Sequence, residues 1–184
     1  SVRKKANVAA KQKIAEKISQ IFHDGDCIMI DSSSTALLVL NYIKNLKNIT
    51  LITNSVEALI ELSDKDNWTV FSTGGKLKRG SLSLVGPSAE KTIRSFHVDY
   101  AVCSSKGIDM NHGITDSNEK DSEMKQAIFD SAETKILVID SSKFDKISLI
   151  KVTDITDVDI IATEKEPSSD WVEYLKRKNV DLIY

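Results

Sequence analysis

The chain has 184 residues, 41% hydrophobic and 28% charged, with seven glycines and two prolines. That size fits one domain of ~100–200 residues, and the mix supports a packed core while excluding disordered, collagen-like and low-complexity classes. The net charge of −2 is uneven: residues 1–20 set Arg3, Lys4, Lys5, Lys11, Lys13 and Lys17 against Glu16, a net +5, and the other 19 basic and 26 acidic side chains leave −7.

A basic arm on an acidic body fits either an approach to nucleic acid or a solvated first helix, and the body itself is no DNA-binding surface. No apolar run nears the ~18 residues that span a bilayer, and no signal peptide opens the chain, so a cytoplasmic protein without a membrane partner is expected. Cys27 and Cys103 sit in apolar runs and read as reduced core thiols.

The periodicity of Ala10, Ile14, Ile18, Ile21 and Phe22 predicts a helix over the arm, with Gly25 as the break that ends it. Cys27–Ile30 is a short continuous apolar run, the pattern of a strand covered on both faces. A helical stretch through Ala36, Leu37, Leu40 and Ile43 follows, then a run at 49–53. Another helical stretch holds Val56, Leu59, Ile60 and Leu62, and a third run at 68–73 ends at Gly74-Gly75. Further strands are predicted at 98–103, 136–140, 158–163 and 180–183. Between them lie a helix at 118–132, facing inward through Met124, Ala127, Ile128 and Ala132, and a last helix near Trp171 and Leu175. Strands alternating with helices imply an α/β fold with a mostly parallel sheet flanked by helices.

Such sheets bind ligands beyond the carboxyl ends of their strands. Five strand ends carry polar groups: Asp31-Ser32-Ser33-Ser34-Thr35, Thr53-Asn54-Ser55, Thr73-Gly74-Gly75, Ser104-Ser105-Lys106-Gly107 and Asp140-Ser141-Ser142-Lys143. Each alone could be helix capping. Together they predict a polar small-molecule site. Ser32 to Thr35, with free N–H groups at a helix start, suit a phosphate or carboxylate. Asp31 would instead accept from ligand hydroxyls or fix the loop. Gly74 and Gly75 would let the backbone approach a ligand or simply make a tight turn. Lys106 and Lys143 stand where a phosphate would need neutralising, or are solvated surface residues.

No catalytic or metal set emerges, and no cofactor is expected. His23, His97 and His112 lack ligand spacing, there is no Gly-x-Ser-x-Gly elbow, and no Walker or dinucleotide fingerprint. Asp109 and Glu123 are the carboxylates that could act as acid or base, or be merely solvated. Trp68 and Trp171 read as packing residues.

The ordered set Asp31-Ser32-Ser33-Ser34-Thr35, Thr53-Asn54-Ser55, Thr73-Gly74-Gly75, Val85-Gly86, Lys106-Gly107-Ile108-Asp109, Gly113-Ile114-Thr115, Lys125 and Asp140-Ser141-Ser142-Lys143-Phe144 resembles the C-terminal sensor domain of the DeoR family over roughly residues 10–165. The family's usual first-loop glycine is Ser33 here, and Ser104-Ser105 replace a frequent Gly-Ala. The resemblance implies a fold similar to ribose-5-phosphate isomerases and coenzyme A transferases, and a sugar-phosphate-sensing part of a bacterial regulator of carbohydrate metabolism, a repressor in the first instance. It implies as ligand residues Asp31, Ser32, Ser33, Ser34, Thr35, Thr53, Asn54, Thr73, Gly74, Gly75, Lys106, Asp109 and Lys143. Residues 1–23 are then a linker helix towards an absent N-terminal winged helix-turn-helix, and 24–184 the sensor. The effector is a phosphorylated sugar or related metabolite, DNA is met only through the missing module, and the protein is a homo-oligomer. The alternative is a sugar-phosphate isomerase on a related fold, with Asp109 as its base.

Overall fold

The computed structural model describes residues 5–184. Apolar runs and amphipathic stretches alternate, and the elements follow them. In the first half these are α1 (Val8–Ser19), β1 (Cys27–Ile30), α2 (Ser34–Ile43), β2 (Thr50–Thr53), α3 (Val56–Glu61) and β3 (Thr69–Ser72). A hairpin of β4 (Lys76–Leu77) and β5 (Leu84–Val85) leads into α4 (Pro87–Arg94). Then come β6 (Val98–Cys103), the hairpin β7 (Gly107–Asp109) to β8 (Gly113–Asp116), α5 (Glu119–Asp130) and β9 (Ala132–Val138). After a 3-10 turn at Ser141–Lys143 the chain closes with β10 (Ile150–Thr153), β11 (Ile160–Ala162), α6 (Ser169–Arg177) and β12 (Asp181–Ile183).

The central sheet has the order β12-β11-β9-β6-β1-β2-β3, and every neighbouring pair is parallel. All its carboxyl ends therefore share one rim. Alternating side chains split the core between the two faces. Ile28 and Ile30 pack with Ile14 and Ile18 of α1 and Leu40 of α2, while Met29 packs with Ile93 of α4 and Ile128 of α5. That double burial explains the continuous apolar run of β1. The run at β3 looks the same in sequence, yet β3 is an edge strand, and Phe71 is 41% exposed against Phe96. A small antiparallel sheet, β10-β8-β7, stands apart from the main one.

Several boundaries differ from the sequence expectation. Helix α1 ends at Ser19, not at Gly25; Gly25, at φ +86°, turns the chain into β1 and donates its N–H to the Lys47 carbonyl at 2.9 Å. Phe22 lies beyond the helix and packs edge-on against Tyr100. Arg3 and Lys4 of the basic arm lie outside the described residues. Helix α5 stops at Asp130, so Ala132 opens β9 rather than facing inward from a helix. Trp171 is on α6 itself, donating to Asp145 at 2.9 Å, and Trp68 donates to the Leu46 carbonyl at 2.8 Å. Both cysteines are free; Cys103 is buried and Cys27 half-buried. Among the described residues no helix is long and apolar enough to cross a membrane.

Candidate functional site

The centre of the rim is the β1–α2 junction. Asp31 follows β1 and is 2% exposed. Its Oδ1 accepts from the Ser33 N–H at 3.0 Å and the Ser33 hydroxyl at 2.5 Å, and its Oδ2 accepts from the Ser104 N–H at 3.1 Å and from the Lys125 ammonium. Four donors hold the turn that aims α2. Ser33 caps the helix by accepting from the Ala36 N–H at 3.3 Å. The N–H groups of Ser34 and Thr35 then have no acceptor within the helix, and among the described residues the hydroxyls of Ser32 and Ser34 make no hydrogen bond.

Lys125, on α5, lies between Asp31 and Asp116, whose Oδ2 is 3.8 Å from its ammonium. Burial alone would push the lysine pKa down; the two carboxylates outweigh it and raise it above the ordinary value. Asp116 is 2% exposed, and its Oδ2 has no hydrogen-bond partner. The 3.8 Å separation is too long for one.

Two cavities flank the first turn of α2. The larger, of about 410 Å³, is lined by Ser32, Ser33 and Ser34, by Lys78 and Arg79 of the β4–β5 hairpin, and by Asp116, Asp121 and Lys125. Its charges are balanced, Lys78, Arg79 and Lys125 against Glu57, Asp116 and Asp121: Lys78 pairs with Asp121 at 2.5 Å, and Lys125 is held by carboxylates. The smaller, of about 80 Å³, shares Ser33 and Ser34 and adds Thr35, Lys106, Lys143, and Asn7 and Lys11 of the α1 end. Among the described residues lining it, Asp140 is the one carboxylate, with Lys11, Lys106 and Lys143 as the lysines. The 3-10 turn presenting Lys143 is fastened by Glu164, which accepts from the Ser141 N–H at 2.8 Å and hydroxyl at 2.5 Å.

Of the residues expected from sequence, Ser32, Ser33, Ser34, Thr35, Lys106 and Lys143 line one or both cavities. The others line neither. Asp31 is taken up by its four donors. Thr53 is fully buried, donating to the Ile30 carbonyl at 3.1 Å and accepting from the Ser55 N–H at 3.0 Å. Asn54 donates to the Leu84 carbonyl at 3.0 Å, and Thr73 to the Gly74 carbonyl at 3.0 Å. Gly75 approaches the protein's own backbone, since a Cβ there would lie 2.8 Å from the Val85 carbonyl oxygen. Asp109 closes the β7–β8 turn, accepting from the N–H groups of Asn111 and His112 and pairing with the His112 ring at 2.8 Å. Glu123 pairs with Lys120 at 3.5 Å. Lys78, Arg79, Asp116, Asn7 and Lys11 were not singled out for the site from sequence, because distant elements carry them to the rim.

Residues 6–165 match the family model described as the DeoR C terminal sensor domain. This chain belongs to the DeoR family. Among its DeoR-type relatives is an uncharacterized HTH-type transcriptional regulator, YulB of Bacillus subtilis (strain 168), 36% identical over 182 residues, 99% of this chain and 70% of that protein. The HTH-type transcriptional repressor GlcR of the same organism is 31% identical over 173 residues, 94% and 66% of the two chains. The L-fucose operon activator of Haemophilus influenzae (strain ATCC 51907 / DSM 11121 / KW20 / Rd) is 30% identical over 181 residues, 98% and 72%. The chain thus spans about two thirds of the length of these relatives. The DeoR family and these relatives are transcriptional regulators, not enzymes.

Solved structures agree on the fold. Ribose 5-phosphate isomerase A from Methanocaldococcus jannaschii superposes with TM-score 0.54 at 16% identity, covering 76% of this chain and 55% of that one. The eIF2B delta subunit from Chaetomium thermophilum gives 0.60 at 16%, covering 87% and 57%. At that identity the likeness is one of architecture alone.

Proposed function

We propose that this chain senses a phosphorylated sugar or related metabolite for a longer DNA-binding regulator, with residues 1–23 as the connection to the DNA-binding module and 24–184 as the sensor. The observation that carries this reading is the charge contrast across the first turn of α2. Among the described residues, the smaller cleft is lined by Lys11, Lys106, Lys143 and Asp140, beside N–H groups of Ser34 and Thr35 that the helix itself leaves unused. That is the chemistry of a phosphate site. The contiguous larger cavity is charge-balanced, with unpaired hydroxyls on Ser32 and Ser34 and an acceptor, Asp116 Oδ2, that lacks a donor. That is the chemistry of a polyhydroxy body. The phosphate therefore belongs in the small cleft and the hydroxyls in the large one.

An isomerase on this fold would need a base beside the substrate C–H. The carboxylate nominated from sequence, Asp109, is bound up in its turn and lines neither cavity. A thermal-shift panel of sugar phosphates and their parent sugars, run beside a turnover assay with ribose 5-phosphate, tests the reading. Stabilisation by one or more phosphorylated members, without turnover, is expected. A panel in which nothing shifts the midpoint, or in which ribose 5-phosphate is isomerised, would overturn it.

A further inference from the structure

We propose that the outer edge of β3 is the contact for a second copy of this chain. Two β3 strands would pair antiparallel about a two-fold axis at Phe71, joining two seven-stranded sheets into one.

β3 ends one side of the central sheet. The N–H groups of Thr69 and Thr73 donate inward, to the Ile49 and Thr53 carbonyls at 2.9 and 3.1 Å. Backbone groups alternate in direction along a strand, so the N–H and C=O of Val70 and Ser72 face outward. Among the described residues they have no backbone partner. Such an edge is a template for another strand unless a charge, a proline or a bulge blunts it. The other edges of the two larger sheets are guarded in this way. β12 begins with Asp181, β10 carries Lys151 and a bulge, and β7 carries Asp109 and bridges to Phe144. β3 is Thr69-Val70-Phe71-Ser72, with no charge, proline or bulge, and Phe71 is 41% exposed.

Symmetry and charge select the occupant. Setting Val70 opposite Ser72 of the second copy, and Ser72 opposite its Val70, is the antiparallel register that pairs both outward residues at once. Phe71 then meets Phe71 of the second copy in a non-hydrogen-bonded pair, with Cα atoms about 4.5 Å apart. Aromatic pairs across strands are favourable. Antiparallel pairing also lays the start of one strand beside the end of the other. The start is preceded by Asp64 and Asp66, both exposed and in no ion pair among the described residues, while Lys65 between them lies over the Trp68 ring at 5.8 Å. The end is followed by Lys76, exposed and likewise in no ion pair. Each copy therefore offers acid where the other offers base, and the two-fold axis repeats the match.

Sedimentation and cysteine crosslinking of the 184-residue chain test this. The wild type should show a concentration-dependent dimer. Phe71→Cys should lock it covalently under mild oxidation, because Cα atoms at that spacing lie within disulfide reach. Ser72→Cys should not, since its two copies would stand out of step across the axis. Asp66→Lys should weaken the dimer about three- to tenfold, as should Lys76→Glu, and the two changes together should restore it. A monomer at every concentration would overturn the proposal and leave the edge to a strand of another protein. A dimer that Phe71→Cys fails to lock, or that Ser72→Cys locks as readily, would overturn it by placing the contact elsewhere. Charge reversals without effect, or a double variant no tighter than the single ones, would overturn it as well.

Discussion

Lys125 and Lys143 illustrate how one residue type serves two purposes at this rim. Lys125 is buried between Asp31 and Asp116, so its charge is spent on the protein. Removing one member of a buried ion pair costs about 3–5 kcal/mol, and Lys125→Ala should lower unfolding stability by that amount in urea titrations. Its folded pKa is raised, so its stabilisation is complete below the unfolded value and fades only as pH climbs through the raised one. The Lys125 contribution should therefore stay constant across neutral pH. Lys143 is half-buried on the smaller cleft. A charge-assisted hydrogen bond is worth about 1.5–3 kcal/mol, so Lys143→Ala should weaken a phosphorylated ligand about ten- to a hundredfold and leave the unfolding midpoint in place. Ser34→Ala removes a neutral partner and should cost about 1 kcal/mol of binding.

At the level of elements, the supports of the site are separable from the site. Gly75, at φ +98°, has its missing Cβ position filled by the Ala89 side chain and the Val85 carbonyl oxygen. Gly75→Ala should destabilise the protein by about 1–3 kcal/mol through overpacking, read as a lower urea midpoint, because it displaces the β4–β5 hairpin from α4. Glu164 fastens the Ser141–Lys143 turn: partial burial pushes its carboxyl pKa up, but bonds from the Ser141 hydroxyl and from backbone N–H groups hold it below the ordinary value. A depressed carboxylate stabilises above its unfolded pKa, and that contribution is lost as pH falls through the folded one. Glu164→Gln should flatten part of the acid limb of a stability profile. What was legible in sequence follows the same division. β1 is buried on both faces and announces itself as an unbroken apolar run, and Ser32 to Ser34 are legible because they follow it. The run at β3 reads alike although β3 is the edge strand of the sheet. The two-residue strands β4 and β5 show no period at all, so Lys78 and Arg79 could not be placed opposite α2. Asp116 and Lys11 reach the site by tertiary contacts that no local pattern encodes.

For the whole molecule, the charge asymmetry bears on DNA. A body of net −7 with a short basic arm offers only sequence-blind phosphate contacts, with affinities of about 10⁻⁴–10⁻⁶ M that fall with salt. Gel shifts at physiological salt should show no sequence-specific binding by this chain; a specific shift would mean that it carries its own recognition surface. Regulators that read paired half-sites do so as dimers, so sedimentation at tens of micromolar should show self-association, and a monomer throughout would oppose it. The central claim is that a phosphate, recognised by Lys143 and the start of α2, is what the sensor reads. Calorimetric titration of a stabilising sugar phosphate and its unphosphorylated parent, against the wild-type chain and Lys143→Ala, measures that claim directly. The phosphate should bind at least about tenfold tighter than the parent, a margin of about 1.4 kcal/mol, and the variant should lose most of it. Equal affinity for both, unchanged in Lys143→Ala, would contradict the account.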